Sequence, residues 1–367
     1  MLKRVLALLL ALVMLASVSV AGAAWSEVKV DGHHKYVSVA DWSKADIEKA
    51  IKLNLDVAYT GENVQMSIAR VDFAEDAAAL VGLAYGQDIR TYERYNELQV
   101  LLNKAEKKDV WREMGILKGR GNGYYVDPNT PITRQEAAVV LARVYRLYAE
   151  EPQTKAPLTY QDAKDIADWA KDDVALMTQL GVMNGVAKGK FDPKGQYTVE
   201  QCLVTLVRLY NNTCKGKPTV KNDFFALTPR QVAISQAYMP TNYLCSAEND
   251  QTFAIAYNMG TGHRGPIDVK VFVVDAKGTC KGYRNAIKDS YNIYWGEGEN
   301  GQSDAHIEKI WLSDDGSKVY YQSTVKEDVY PYYPNGTYGK LLFAKGVYTV
   351  TLDVATGKQT YTRADLT

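Results

Sequence analysis

Residues 132–141, ITRQEAAVVL, return as YTVEQCLVTL at 197–206 and, in weaker form, as IARVDFAEDA at 68–77. Set in register on the third position, Arg70, Arg134 and Val199 stand 64 and 65 residues apart. A regular period of this size marks stacked supersecondary units. The stretches upstream agree in part. GVMNGVAKGKFDP at 181–193 matches GILKGRGNGYYVDP at 115–128 with one residue inserted, whereas the earliest unit has LNLDVAYTGENVQ at 53–65 in that place. Each unit reads as helix, loop, helix. Ile166, Trp169, Ala170, Val174, Met177 and Leu180 keep the 3.6-residue period, and Gly181 is placed to end their helix. Thr133 with Glu136, and Thr198 with Gln201, have the spacing of capping boxes, in which each partner satisfies an N–H group left open at a helix start. Ala137, Val140, Leu141, Val144 and Tyr148 then line one apolar face.

The grammar changes near Cys214. Residues 214–222 are a Gly/Pro/Lys stretch without periodicity, which suits a linker. Beyond it Ile267, Val269, Val271 and Val273 alternate with polar residues before the turn Asp275–Gly278. Ile307–Leu312 and Lys318–Thr324 flank Ser313–Gly316 as a hairpin, and Tyr348, Val350, Leu352 and Val354 alternate up to Ala355–Lys358. The expected fold class is thus an α-helical N-terminal module plus a separate antiparallel all-β C-terminal domain, a small sandwich or similar.

The chain opens on Met1-Leu2-Lys3-Arg4, an apolar run from Val5 to Val20, and Ala21-Gly22-Ala23-Ala24. These are the three parts of a secretory signal peptide, with cleavage expected after Ala23 or Ala24. The run is short for a membrane span. Lys and Arg total 43, as do Asp and Glu, so the charge gives no case for nucleic acid or for anionic lipid as partner. Cys202, Cys214, Cys245 and Cys280 have no zinc spacing, and neither metal nor cofactor is expected. Export permits disulfides: Cys202–Cys214 with Cys245–Cys280 would respect the two halves, and four buried free thiols are the alternative.

The repeats resemble the S-layer homology family. The second supplies Gly115-Ile116, Asp127-Pro128 and Ile132-Thr133-Arg134-Gln135-Glu136; the third Asp168-Trp169-Ala170, Gly181-Val182, Gly189-Lys190-Phe191-Asp192-Pro193 and Tyr197-Thr198; the first Asp41-Trp42, Lys44 to Leu55 and Ile68-Ala69-Arg70-Val71-Asp72. The resemblance covers about half the chain. With the readings above, the expected domains are a signal peptide at 1–24, repeats at 25–86, 87–150 and 151–213, the linker at 214–222 and a β-rich domain at 223–367. The resemblance further implies three helix-loop-helix repeats packed as a pseudo-threefold spindle. Grooves between them would bind an anionic, often pyruvylated, secondary cell-wall polysaccharide. The implied binding residues are Arg134, Arg70, Glu136, Asp72, Trp42, Trp169, Gly185 and Gly189. The chemistry is sound, because the guanidinium presents a rigid fork of donors to a carboxylate beside helix N–H groups that also attract anions. Trp42 and Trp169 suit the core of a first helix as well as a sugar platform. Val199 replaces the arginine in the third repeat, so at most two working grooves are expected.

The function expected from this reading is non-catalytic anchoring of an exported protein to the bacterial cell wall. The alternative is a wall-attached hydrolase with its active site in the C-terminal domain. Against catalysis, no G-x-S-x-G occurs, and no carboxylate pair stands out. His263 lies in a Gly-His-Arg-Gly loop and His306 before a strand, as turn or surface histidines do. Glu297, Glu299 and Asp304 read as a solvated acidic loop rather than a calcium site. Tyr330–Tyr338 could face a sugar or pack on the sheet. No family and no partner is legible in the C-terminal half.

Overall fold

The structure, a computed structural model, describes residues 25–30, 35–58, 62–106, 109–119, 127, 129–187, 189–215, 217–221, 226–238, 242–259, 268–290, 302–330 and 337–366. The signal-peptide segment, His263, Glu297, Glu299 and residues 331–336 of the tyrosine-rich stretch lie outside the described residues. The chain forms two compact units: Met1–Ile89 with Lys108–Phe225, and Arg90–Lys107 with Ala226–Thr367.

The first unit opens on an antiparallel hairpin, β1 (Trp25–Lys29) and β2 (Lys35–Ala40), so the N-terminal module is not wholly helical. Helices α1 (Lys44–Lys52), α2 (Arg70–Ala84), α4 (Val110–Glu113), α5 (Arg134–Tyr148), α6 (Asp168–Gln179) and α7 (Val199–Leu209) follow, with α3 (Ile89–Leu101) running into the other unit. The starts of α2, α5 and α7 are tied in a closed ring. Ile68 N–H donates to the Tyr197 carbonyl at 2.9 Å, Tyr197 N–H to Ile132 at 3.0 Å, and Ile132 N–H to Ile68 at 3.1 Å. A second round runs parallel to it: Arg70 N–H to Thr130 at 3.0 Å, Arg134 N–H to Gly195 at 2.9 Å, and Val199 N–H to Met66 at 3.0 Å. The first N–H groups of a helix have no partner within it. Here each helix start is satisfied by the chain leading into another.

Side chains complete the same task. Glu136 accepts the Thr133 N–H at 2.9 Å and so closes the expected box. Thr198 Oγ accepts the Gln201 N–H at 3.2 Å, but the Gln201 carbonyl oxygen does not reach back, leaving that box half made. Gln135 accepts the Ala167 N–H just before α6, and Glu200 accepts the Ala40 N–H and the Ser43 hydroxyl just before α1. The register position of Gln135 and Glu200 in the first repeat is Val71, which can accept nothing. Correspondingly, the helix before α5 is cut to the four residues of α4.

What stands in front of α4 belongs elsewhere. Residues 87–107, expected inside the second repeat, contribute Arg90–Lys107 to the C-terminal unit. Leu98 of α3 is fully buried there against α8 (Pro229–Ala237) and Phe253, Ile255 and Tyr257, with Tyr95 and Leu102 beside it. At the expected linker the first unit continues: Thr219 N–H donates to the Tyr148 carbonyl at 2.8 Å, and the Tyr85 hydroxyl donates to Val220 O at 2.5 Å.

The C-terminal unit has two four-stranded antiparallel sheets. The first runs β3 (Tyr243–Glu248), β4 (Thr252–Asn258), β5 (Val269–Asp275), β6 (Cys280–Arg284). The second is ordered β12-β11-β10-β9, from β9 (Ile307–Leu312), β10 (Lys318–Val325), β11 (Gly346–Asp353) and β12 (Gln359–Ala364). A short pair, β7 (Lys288–Ser290) and β8 (Gln302–Asp304), accompanies them. Val271, Val273 and Ala254 of one sheet pack on Val319, Tyr321 and Val350 of the other. The opposite face of the first sheet is covered by α8 and α3, so β4 is buried on both faces and the unit is not purely β.

All four cysteines are free. Cys245 and Cys280 sit on β3 and β6, opposite edges of one sheet. Three strand spacings of about 4.8 Å separate those edges, whereas a disulfide needs Cα atoms within about 7 Å. Asp304, one of the acidic-loop residues, is fully buried and held by Arg284 at 2.9 Å, by Lys288 and by the Val269 N–H. It is a counter-ion, not a free ligand.

Candidate functional site

Two clefts in the first unit gather most of the residues singled out from sequence. One, of about 350 Å³, is lined by Trp42, Arg134, the loop Val182–Val186, and Gln201, Val204, Thr205 and Arg208 of α7. The other, of about 530 Å³, is lined by Arg70, the loop Leu117–Gly119, Glu136, Val139, Val140 and Arg143 of α5, and Trp169 and Asp173 of α6. They match position for position. In each, the arginine begins one helix, the loop and lining helix come from the next repeat, and the tryptophan comes from the remaining one.

Both tryptophans are open to solvent, Trp42 at 58% and Trp169 at 59% exposure, which removes the core reading. In α6 the buried face runs through Ala170, Val174 and Met177. At 100° per residue Trp169 lies roughly 100° away from its centre. The arginines, by contrast, are sunk into the floor, Arg70 at 4% and Arg134 at 7% exposure. Arg134 lies over the Phe191 ring at 5.2 Å and the Tyr197 ring at 5.7 Å, and its Nη2 donates to the Asn184 carbonyl. Tyr197 is fully enclosed; burial pushes its hydroxyl up to about 12, against the opposing pull of Arg134. Arg70 pairs with Glu136 at 2.8 Å and donates to the Lys118 carbonyl at 3.3 Å. Glu136 therefore caps Thr133 with one oxygen and holds Arg70 with the other.

Two residues were not legible from sequence. Arg143 and Arg208 occupy the same register in their helices, and each lines a cleft. Arg208 lies 6.0 Å from the Trp42 ring; Arg143 donates to the Ile116 carbonyl at 3.1 Å, and burial lowers its pKa. Their signal was the nine-residue step from Arg134 to Arg143 and from Val199 to Arg208.

The remaining expected residues are placed differently. Gly185 lines the Arg134 cleft, where an added Cβ would stand 2.6 Å from the Lys190 carbonyl oxygen. Gly189 lines neither cleft and serves a turn at φ +77°. Asp72 lines neither cleft as well. It occupies the register of Glu136, but its arginine counterpart is Val199, and burial raises its pKa. Glu75 and Asp76 beside it are raised as well, first by burial; Asp76 is fully enclosed and accepts the Ala58 N–H at 2.9 Å. The third register set thus carries Val199 and Ala79 where the others have arginines.

Residues 111–138 and 159–198 match the S-layer homology domain, and the chain carries that domain. The amylopullulanase of Thermoanaerobacterium thermosulfurigenes is 35% identical over 85 residues, 23% of this chain and 4% of that protein. The exoglucanase XynX of Acetivibrio thermocellus is 37% identical over 82 residues, 22% and 7% of the two chains. The S-layer protein of Bacillus thuringiensis subsp. finitimus is 31% identical over 84 residues, 23% and 10%. The chain thus spans a tenth or less of the length of these relatives.

Proposed function

We propose that this protein anchors itself non-covalently to the bacterial cell wall by binding an anionic wall polysaccharide in the two clefts, and presents its C-terminal unit there for binding or spacing. The observation that carries this reading is the repeated pairing of an exposed tryptophan with a buried arginine across a loop. An indole face open to water offers an apolar platform to a sugar ring, and a guanidinium fork below it suits an acidic substituent wherever no carboxylate of the protein already pairs with it. In this reading the first unit is a three-repeat, pseudo-threefold spindle. The closed rounds of hydrogen bonds through Ile68, Ile132 and Tyr197 support it. Its third groove is silent, because Val199 and Ala79 replace both arginines.

An anchoring role accords with the absence, among the described residues, of any helix long and apolar enough to cross a membrane. The test is sedimentation of the full chain with purified bacterial walls. Trp42→Ala and Trp169→Ala should each weaken binding about threefold or more and the double variant should abolish it, with circular dichroism unchanged. Wild-type binding by the folded double variant would refute the proposal.

A further inference from the structure

The two clefts differ at one register position. Glu136 faces Arg70 and neutralises it, whereas the residue at the same position of the other cleft is Gln201. Two buried atoms there have no hydrogen-bond partner among the described residues, Arg134 Nε and Gln201 Oε1. A buried polar group without a hydrogen bond is costly, and a native structure keeps one where something else supplies the partner. Arg134 is more than nine-tenths buried, makes one side-chain hydrogen bond among the described residues, and has no carboxylate among its cleft neighbours. Arg208 adds a second positive charge to the same wall, loosely balanced by Asp46 at 3.9 Å.

We infer that the clefts divide the glycan between them, and that Gln201 sets the division. The Arg134 cleft takes the carboxylate-bearing sugar; the Arg70 cleft takes an uncharged one, because Glu136 already occupies the fork of Arg70. In the Arg134 cleft a carboxylate supplies the acceptor that Nε lacks. Gln201, whose amide presents either an oxygen or an NH₂ group, turns its donors toward that anion. Gln201→Glu would repel the anion and supply Arg134 with a carboxylate partner, as Glu136 does for Arg70. This inference rests on the proposed glycan binding and adds to it which cleft reads the charge.

The experiment is calorimetric titration of the full chain with soluble wall glycan, either native or with its carboxyl groups reduced to alcohols. Wild type should favour the native glycan by about tenfold, in the range of a charge-assisted hydrogen bond. Gln201→Glu should bring the ratio close to one. The fold should tolerate it, since glutamate completes the capping box with Thr198 as Glu136 does with Thr133. Glu136→Gln, which frees Arg70, should raise the ratio above that of wild type. An unchanged preference in Gln201→Glu would overturn this inference and leave the anchoring proposal standing. No wild-type binding to either glycan would overturn both. Hydrofluoric acid, which strips phosphate and spares carboxylates, should leave the preference intact; its loss would assign the anion to phosphate and overturn the carboxylate reading.

Discussion

Truncating Leu98 to alanine should weaken the C-terminal unit while leaving the helical unit that surrounds it in sequence intact. Leu98 has no exposed surface and is enclosed by Ala233, Ile234 and Ala237 of α8, Phe253, Ile255 and Tyr257 of β4, and Val274 of β5. The alanines of α8 cannot expand into the space, and β4 is fixed by ladders on both sides, so the site collapses little. Buried leucine-to-alanine changes under such conditions cost about 3 kcal/mol. For a unit of this size that lowers the unfolding midpoint by roughly 6–12 °C. Hydrogen exchange on the full chain locates the effect. Amides of β4 and β5 should lose protection by about two orders of magnitude, while those of α5 and α7 stay as in wild type. Loss of protection in α5 and α7 with β4 unchanged would refute the assignment of Arg90–Lys107 to the C-terminal unit.

Two further outcomes follow from particular atoms. Burial raises the Asp76 carboxyl well above its ordinary value, with Asp56 and Asp72 adding to the shift. The folded state therefore holds that proton more tightly than the unfolded chain, so the contribution of Asp76 to stability is full below about pH 4 and is lost as pH rises toward the folded pKa. Asp76→Asn, which keeps an acceptor for the Ala58 N–H, should flatten the decline in the urea midpoint between pH 4 and 7; an unchanged slope would refute this. Gly185→Ala should distort the Arg134 cleft, because its Cβ meets the Lys190 carbonyl oxygen at 2.6 Å and Tyr160 at 3.2 Å. Wall binding should fall about tenfold with helix content unchanged, and wild-type binding would contradict the packing.

Local signals carried far in this chain. The Thr133–Glu136 box, the turns at Gly278 and Gly316 and the period-two strands depend on residues a few positions apart, and the structure places them where the sequence puts them. The Thr198–Gln201 box failed at its second half for a reason that is not local. Gln201 lines the cleft that Arg134 also lines, and its side-chain oxygen makes no hydrogen bond back to its own helix start. Trp169 was drawn into an apolar stripe because its residue type and period fit one; only the position of the neighbouring helices decides which side of α6 is covered.

The sequence by itself determined the helix-loop-helix units, their period and the residue types that line the two clefts. These are short-range properties, set by capping, turn chemistry and hydrophobic periodicity. The tertiary structure alone decided which arginine shares a cleft with which tryptophan, since each cleft draws on three separated stretches of the chain. It also decided that Arg90–Lys107 leaves the repeat it interrupts to cover the far face of β4. Such pairings are fixed by which buried surfaces fit together across many residues of chain, and nothing in the spacing along that chain encodes them.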